Sequence, residues 1–300
     1  MKALEAANVS HWFGTNRVLH DVSLQIEAGQ IVSVVGPSGC GKSTLLRAIL
    51  GTHPPKKGEI RVDGELIDRP NRNVGIVYQH YSLYDFLTAQ QNAAFGLMLD
   101  QTSLPFRLFQ FWKWRKLHKR HMEQAAALLI KVGLEDAIKL YPGEMSGGMR
   151  QRVAIAQTLI MKPKLLLLDE PFGALDEATR EELQLMLLNL YQENLQAKEQ
   201  GQPPPHTIMI VTHELTEALY VADRVVGLSQ YHQEGSRGAT IVYDKAAPVF
   251  HPTDPREFGA FGDLKEELRA AVFDPGRLQH YQEYVSFWSD QQSLEEGTGT

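Results

Sequence analysis

Long hydrophobic runs are missing from this chain of 300 residues. Its longest aliphatic stretches, Ile31–Val35 and Leu165–Leu168, are strand-length, far short of the roughly 20 residues needed to span a bilayer as a helix. Cysteine is nearly absent: Cys40 stands alone, which excludes an internal disulfide and gives no sign of an oxidising compartment. Basic residues are in deficit, 30 Lys and Arg against 36 Asp and Glu, so general nucleic-acid binding through a basic surface is disfavoured. Met1–Phe13 lacks the charged-then-apolar order of a signal peptide, and no internal repeat is visible. The expectation is a soluble, cytoplasmic chain whose part at any membrane comes through a partner. Hydrophobic residues make up 43% of the chain, enough for one large core or two modest ones.

The first thirty residues read as short strands broken by turns. Val18–Ile26 roughly alternates, and Ala28-Gly29 predicts a hairpin turn. Ile31–Val35 predicts a buried strand, followed by a Gly-rich turn and a helix over about Lys42–Leu50, the opening of a parallel α/β sheet. Helical periods dominate from about Leu83 to Leu159, which predicts a helical subdomain inserted at about 84–160. Further strands are expected at Lys164–Leu168, Thr207–Val211, Ala222–Leu228 and Thr240–Tyr243, with a long helix over about Glu177–Gln196 and a polar, Pro-rich loop at Lys198–Pro205. A last helix is expected over Asp263–Val272, with Leu264, Leu268 and Val272 as its stripe, ahead of an acidic tail at Ser293–Thr300. The predicted fold is α/β, with a mixed sheet of N-terminal antiparallel strands plus a parallel core. The main domain covers 1–245, and 246–300 forms a C-terminal helical extension and tail.

Gly36-Pro37-Ser38-Gly39-Cys40-Gly41-Lys42-Ser43-Thr44 fits G-x4-G-K-[ST] between a predicted strand and a predicted helix. Glycines let successive backbone N–H groups point into one concavity, and the helix N-terminus adds partial positive charge, so phosphates bind there. Lys42 is the candidate for the β- and γ-phosphates and the Ser43 hydroxyl for Mg²⁺. The bland alternative is a Gly-rich turn, with Cys40 a small filler residue. Leu165–Leu168 runs into Asp169-Glu170, two carboxylates at a strand end. Alone they read equally as a solvated turn. Beside a phosphate loop, Asp169 suits the Mg²⁺ shell and Glu170 the base for an attacking water.

Met145-Ser146-Gly147-Gly148-Met149-Arg150-Gln151-Arg152 narrows the reading. Ser-Gly-Gly opening a helix is a second anion site, and here the chain resembles the ATP-binding-cassette family, whose signature reads L-S-G-G-Q. The resemblance implies a P-loop NTPase fold in which Ser146, Gly147 and Gly148 close over the γ-phosphate of ATP held by an opposite subunit. It also implies roles for residues that match in order. Gln79 resembles the glutamine that touches metal and water, Asp176 the loop crossing the dimer interface, His213 the histidine at the γ-phosphate, and Phe13 the aromatic that stacks on adenine, with Trp12 its fallback. Taken singly, each reads as a polar turn, a surface group or a core ring. The resemblance covers roughly Leu4–Leu228.

Met145 and Met149 depart from the family consensus at both ends of the signature. The form S-G-G-M-R-Q-R, with Asp169–Glu181 after it, looks most like the importer ATPases for nitrate, taurine and alkanesulfonates, and the chain stops without the regulatory β-domain of sugar-importer ATPases. The resemblance implies ATP and Mg²⁺ as ligands and a homodimer, or a pair with a paralogous ATPase. It further implies an integral-membrane permease, an indirect link to a solute-binding protein, no nucleic acid, and a peripheral place on the cytoplasmic face of the inner membrane. Competing readings are an exporter subunit using the same chemistry, a soluble phosphotransferase, which leaves Ser146–Gly148 unexplained, and a non-transport cassette protein.

One stretch stands outside that pattern. Phe106–Arg120 holds five aromatics (Phe106, Phe109, Phe111, Trp112, Trp114) and six Lys or Arg, with no acid. Two readings stay open: a surface that meets the permease or the membrane, or a helix that buries its aromatics and leaves its cations solvated.

Overall fold

Strands that are apolar on both faces must be covered on both, and that requirement sets the layering. In a computed structural model, which describes residues 2–79, 82–230, 238–247 and 259–273, the strands fall into two sheets. β1 (Lys2–Phe13), β2 (Asn16–Glu27), β4 (Lys57–Val62) and β5 (Glu65–Leu66) form an antiparallel sheet in the order β2-β1-β4-β5. The second sheet contains β3 (Ile31–Val35), β6 (Val74–Val77), β7 (Leu165–Asp169), β8 (Ile208–Thr212), β9 (Arg224–Ser229) and β10 (Thr240–Ala246), ordered β10-β9-β3-β8-β7-β6. Strands β9, β3, β8, β7 and β6 run parallel, and β10 pairs with β9 antiparallel. The α/β class expected from the sequence is present, with the antiparallel strands in a sheet of their own.

Alternation along β7 and β8 divides the interior. Leu165, Leu167, Met209 and Val211 face α1 (Lys42–Leu50) and the antiparallel sheet. Leu166, Leu168, Ile208 and Ile210 face the helices. On that second side α2 (Ala89–Gln101), α3 (Leu104–Phe109), α4 (Phe111–Lys131) and α5 (Gly147–Leu159) all lie in sequence between β6 and β7. Residues of α2, α4 and α5 (Ala93, Leu97, Ala125, Leu129, Ile155) share one core with the sheet. Also on this side are α6 (Glu177–Glu199), α7 (Leu215–Val221) and α8 (Gly259–Phe273). Local chemistry sets the helix starts: Thr88 and Gln91 form a reciprocal capping box for α2, and Asp176 caps α6 through Thr179 N. The α8 stripe packs on the sheet, with Leu268 and Val272 fully buried and Leu264 half-buried.

Three expectations are corrected. Ala28-Gly29 is no hairpin turn, because β2 and β3 belong to different sheets and the chain crosses between layers there. Gly29 takes a positive φ of 82°, and a side chain on it would strike Pro204 at 2.5 Å. The turn is instead held from the far side of the sequence, by Gly29 N donating to Thr207 Oγ1 and Asn194 Nδ2 donating to Gly29 O, each at 3.0 Å. Next, the opening strands are two of 12 residues each in place of several short ones. Finally, β4 and β6 arise where no strand was expected. The acidic tail lies outside the described residues.

Asp223, between α7 and β9, is pushed up to about 6, chiefly by burial, and its Oδ1 has no hydrogen-bond partner among the described residues. A carboxyl whose pKa is higher folded than unfolded binds its proton more tightly in the folded chain. Stability therefore falls as pH rises from the ordinary carboxylate range through about 6. Asp223→Asn is expected to stabilise the chain above that range by on the order of 2 kcal/mol, roughly 4–8 °C in Tm, and to change little in mild acid. Melting curves at both pH values check this; an equal gain at the two would overturn the assignment.

Candidate functional site

Four parallel strands deliver their carboxyl ends to one edge of the sheet. Their lateral order is β3, β8, β7, β6, with neighbours about 4.8 Å apart. After β3 the chain turns through Gly36–Gly41 into α1. Gly39 and Gly41 take positive φ values of 77° and 102°, and a Cβ on Gly36 would lie 2.3 Å from the Leu228 carbonyl oxygen. The loop is thus pressed against β9, with Ser38, Gly39 and Ser43 exposed and Pro37 and Thr44 half-buried. Lys42 is almost fully buried, and its Nζ donates to the Gly36 and Pro37 carbonyls at 2.7 and 3.0 Å.

Cys40 belongs to this loop through its backbone, and its side chain points away from the open face. Its thiol lies in the core behind the loop, and burial pushes its pKa up. Its N–H donates to the Pro37 carbonyl at 3.2 Å. The side chain is therefore a filler.

Asp169 and Glu170 end β7. The Asp169 carboxyl is pushed up, first by burial and then by the Glu170 charge, while Arg47 and Lys42 pull it back. Glu170 sits at φ 47°, a left-handed conformation unusual for a non-glycine residue and typical of functional sites. Its N–H is held by the Val211 carbonyl at 2.8 Å. Its Oε2 lies 3.2 Å from His213 Nδ1, which follows β8. Gln79 follows β6, and its Nε2 and Glu170 Oε2 converge over Gly173, 3.6 and 3.9 Å from where a Cβ would stand. Strands distant in sequence thus bring Lys42, Ser43, Asp169, Glu170, His213 and Gln79 to one edge.

Phe13 lies at the end of β1 and is half-exposed, its ring 4.8 Å from that of His11 and 6.2 Å from that of His53. Trp12 is more buried. The same hairpin reaches the phosphate loop, since a Cβ on Gly41 would lie 2.9 Å from Val18. Ser146–Gly148 lie elsewhere: among the described residues no hydrogen bond joins them to the Lys42 loop. Ser146 caps α5, its Oγ accepting from Met149 N at 3.2 Å. Met145 is buried and Met149 half-buried against the helical core, so both departures from the family signature are packing residues.

Gly148 is buried, and a Cβ there would lie 1.7 Å from Thr179 Cγ2. Thr179 in turn donates its N–H and Oγ1 to the Asp176 carboxylate, bonds that hold that carboxyl below its ordinary range. The Ser146 helix and the Asp176 loop are thus packed as one unit.

Sequence reasoning missed a second link. Arg180 Nη2 donates to the Leu175 carbonyl at 3.3 Å, and Arg180 Nε lies 3.3 Å from Glu217. Glu217 is buried on α7, which raises its pKa, and accepts from Thr212 Oγ1 at 3.0 Å. The Asp176 loop is thereby tied to the strand end that carries His213. A carboxylate four residues past His213, among Leu215, Ala218 and Leu219, was the signal available.

Ser43, Asp169 and Gln79 offer oxygen donors, and the Asp169–Glu170 repulsion is one a cation would relieve. Among the described residues no group of three or more His, Cys, Asp or Glu is able to hold a metal. Oxygen donors of this kind suit a hard cation.

Gly148→Ala is expected to force Thr179 aside, at a cost of about 1–3 kcal/mol. Adding Thr179→Ser, which removes the clashing methyl and keeps the hydroxyl for Asp176, should restore most of it. Urea unfolding of the two variants tests this; no rescue by the serine would refute the packing account.

Known proteins share these features. The ABC transporter family profile matches residues 19–173. The sulfate/thiosulfate import ATP-binding protein CysA of Pseudomonas syringae pv. tomato is 41% identical over 254 residues, 83% of this chain and 71% of that protein. CysA of a Synechocystis strain is 38% identical over 261 residues, 86% and 65% respectively. The nitrate import ATP-binding protein NrtD of Synechocystis is 41% identical over 216 residues, 72% of each. The chain thus spans about two thirds of the length of these relatives. Among solved structures, the dimeric post-hydrolysis ATP-binding cassette MJ0796 with ADP and Pi covers 82% of this chain and 100% of its own, at a TM-score of 0.62 and 26% identity.

Proposed function

The chain belongs to the ABC transporter family, and on that premise we propose that it is the ATP-hydrolysing subunit of an importer for a small oxyanionic solute. One observation carries the chemistry: the four parallel strand ends that gather Lys42, His213, Glu170 and Gln79, with Glu170 Oε2 3.2 Å from His213 Nδ1. Import and the solute class rest on the named relatives, which import sulfate, thiosulfate and nitrate. Among the described residues no helix is long and apolar enough to cross a membrane. A peripheral place for this chain on the cytoplasmic face, against a polytopic permease served by a solute-binding protein, follows from this reading.

Lys42 exchanges the Gly36 and Pro37 carbonyls for the β- and γ-phosphates of ATP, with the loop N–H groups around them. Phe13 stacks on the adenine. Ser43, Asp169 and Gln79 would hold Mg²⁺, which would neutralise phosphate charge. Glu170 orients and deprotonates the attacking water, while His213 and Gln79 fix the phosphate and the water for in-line attack. Ser146–Gly148 of a second copy, with its Asp176 loop, complete the site. Both faces of the γ-phosphate are then held only when two chains close, so ATP shifts the population toward the closed dimer.

Glu170→Gln is expected to retain ATP binding and to form a long-lived dimer, with turnover reduced by about 10²-fold or more. Steady-state ATPase assays and gel filtration with ATP measure both; turnover near that of the unsubstituted chain would exclude Glu170 as the base. For the transport role, the tagged chain purified from native membranes should carry a polytopic membrane protein, and with it a solute-binding protein. A soluble complex without any membrane protein would overturn that part.

A further inference from the structure

The aromatic-basic stretch is resolved in an arrangement that neither dimer closure nor ATP chemistry uses. Ser103 caps α3, its Oγ accepting from Phe106 N at 3.3 Å. Arg107 then ties α3 back onto the end of α2, donating to Thr102 Oγ1 and the Met98 carbonyl, each at 2.9 Å. One of the six cations is thereby committed to the scaffold. The chain turns at Gln110 and enters α4, whose buried residues are His121, Ala125 and Leu129. His121 Nε2 lies 3.0 Å from Gln101 Oε1, which pins that level of α4 to α2. The ten residues before it, Phe111–Arg120, include none that is buried. At 1.5 Å per residue they carry α4 roughly 15 Å beyond its anchored part.

The projecting corner is apolar at its tip and cationic behind it. Phe109 is 87% exposed, Trp112 78% and Phe111 48%. Phe111, Trp114 and His118 pack on one another along one face of α4, with ring centroids 5.6 and 5.4 Å apart. Trp112 packs edge-on against Phe111, ring centroids 5.8 Å apart, and lines a shallow groove with Arg115, Lys116, His118 and Lys119. All five remaining cations, Lys113, Arg115, Lys116, Lys119 and Arg120, are exposed. Lys119 reaches Glu123 at 3.8 Å, and the other four have no carboxylate within salt-bridge distance among the described residues. This concentration of positive charge sits on a chain whose net charge is -6.

We propose that the α3–α4 corner is a docking surface for anionic membrane lipid, with Phe109, Phe111 and Trp112 entering the headgroup layer and the five cations facing lipid phosphates. Charge complementarity selects this occupant. An exposed cluster of five Lys and Arg, four of them without a salt-bridge partner among the described residues, suits a diffuse sheet of negative charge, whereas recognition of a protein loop would set the cations against matched carboxylates. Exposed Trp and Phe rings beside cations form the amphipathic combination favoured at the membrane–water interface. Dispersed single anions would not account for the exposed rings.

The test uses the full chain and sedimentation with phosphatidylcholine vesicles, with and without phosphatidylglycerol, at low and high salt. Binding should require phosphatidylglycerol and weaken with salt. Each cation at such a surface contributes about a factor of five, so replacing all five by Gln should lower the partition coefficient on the order of 10²-fold or more. Phe109→Ala with Trp112→Ala should lower it at both salts, and quenching of tryptophan emission by brominated lipid should fall in Trp112→Phe. Every variant should keep the ATPase rate, which confirms folding. Equal binding to both vesicle types, or to neither, would overturn the proposal. So would undiminished vesicle binding by the charge variant together with its loss from a detergent-solubilised permease complex, which would make the corner a protein contact. Vesicle binding is read without nucleotide or permease, so it can stand or fail apart from the transport reading.

Discussion

Parallel pairing of β3 with β8, β8 with β7 and β7 with β6 is the constraint on which the site depends. Each register places the end of a strand beside its neighbour's: Val35 against Thr212, Asp169 against Val211, Val77 against Leu168. The residues just beyond them, which carry charge, amide or imidazole groups, emerge together where the hydrogen-bonded ladder ends. None of these strands is stable alone. They are buried on both faces, and the two apolar layers that cover them hold the register. A slip of one residue along β7 would turn Leu166 and Leu168 toward α1 and carry Asp169 and Glu170 away from Lys42 and His213.

Strain and repulsion gather at that edge. Glu170 holds a left-handed backbone because the Val211 carbonyl captures its N–H, and Asp169 stays buried beside a second carboxylate with Arg47 and Lys42 as its nearby cations. Lys42, almost fully buried, rests on two backbone carbonyls. The surrounding fold stabilises an arrangement that is unfavourable by itself.

Two contacts join the edge to the surfaces that face other molecules. Gly148 against Thr179 locks the start of α5 to the Asp176 loop, and Arg180, between the Leu175 carbonyl and Glu217, ties that loop to the Thr212 strand end. Short, specific contacts thus connect the start of α5 with the strand end that carries His213. The α3–α4 corner lies outside this chain of contacts. Its sequence is spent on exposed rings and unpaired cations, a composition that contributes nothing to the core and belongs to an external surface.

Chemistry that is local along the chain was legible in the amino-acid sequence. The phosphate loop and the bounds of α1 follow from glycine spacing between an apolar strand and an apolar helix. The Asp169-Glu170 pair follows from a strand that ends in charge. Order along the chain also pointed to Gln79, Ser146–Gly148, Asp176 and His213. The meeting of Gln79 and His213 with Lys42, Asp169 and Glu170 at one edge required the sheet, because strand order depends on pairings between segments up to about 180 residues apart, such as Ile31 with Ile208. The same distance hid the separation of β2 from β3, the methyl that excludes a side chain at Gly148, the Arg180–Glu217 tie and the burial of the Cys40 thiol. Whether Phe109 and Trp112 were core or surface was equally undecided by their sequence, since an aromatic-basic helix satisfies either pattern. Only the packing of α4 on α2, which buries His121, Ala125 and Leu129 and leaves Phe109 and Trp112 exposed, decided it.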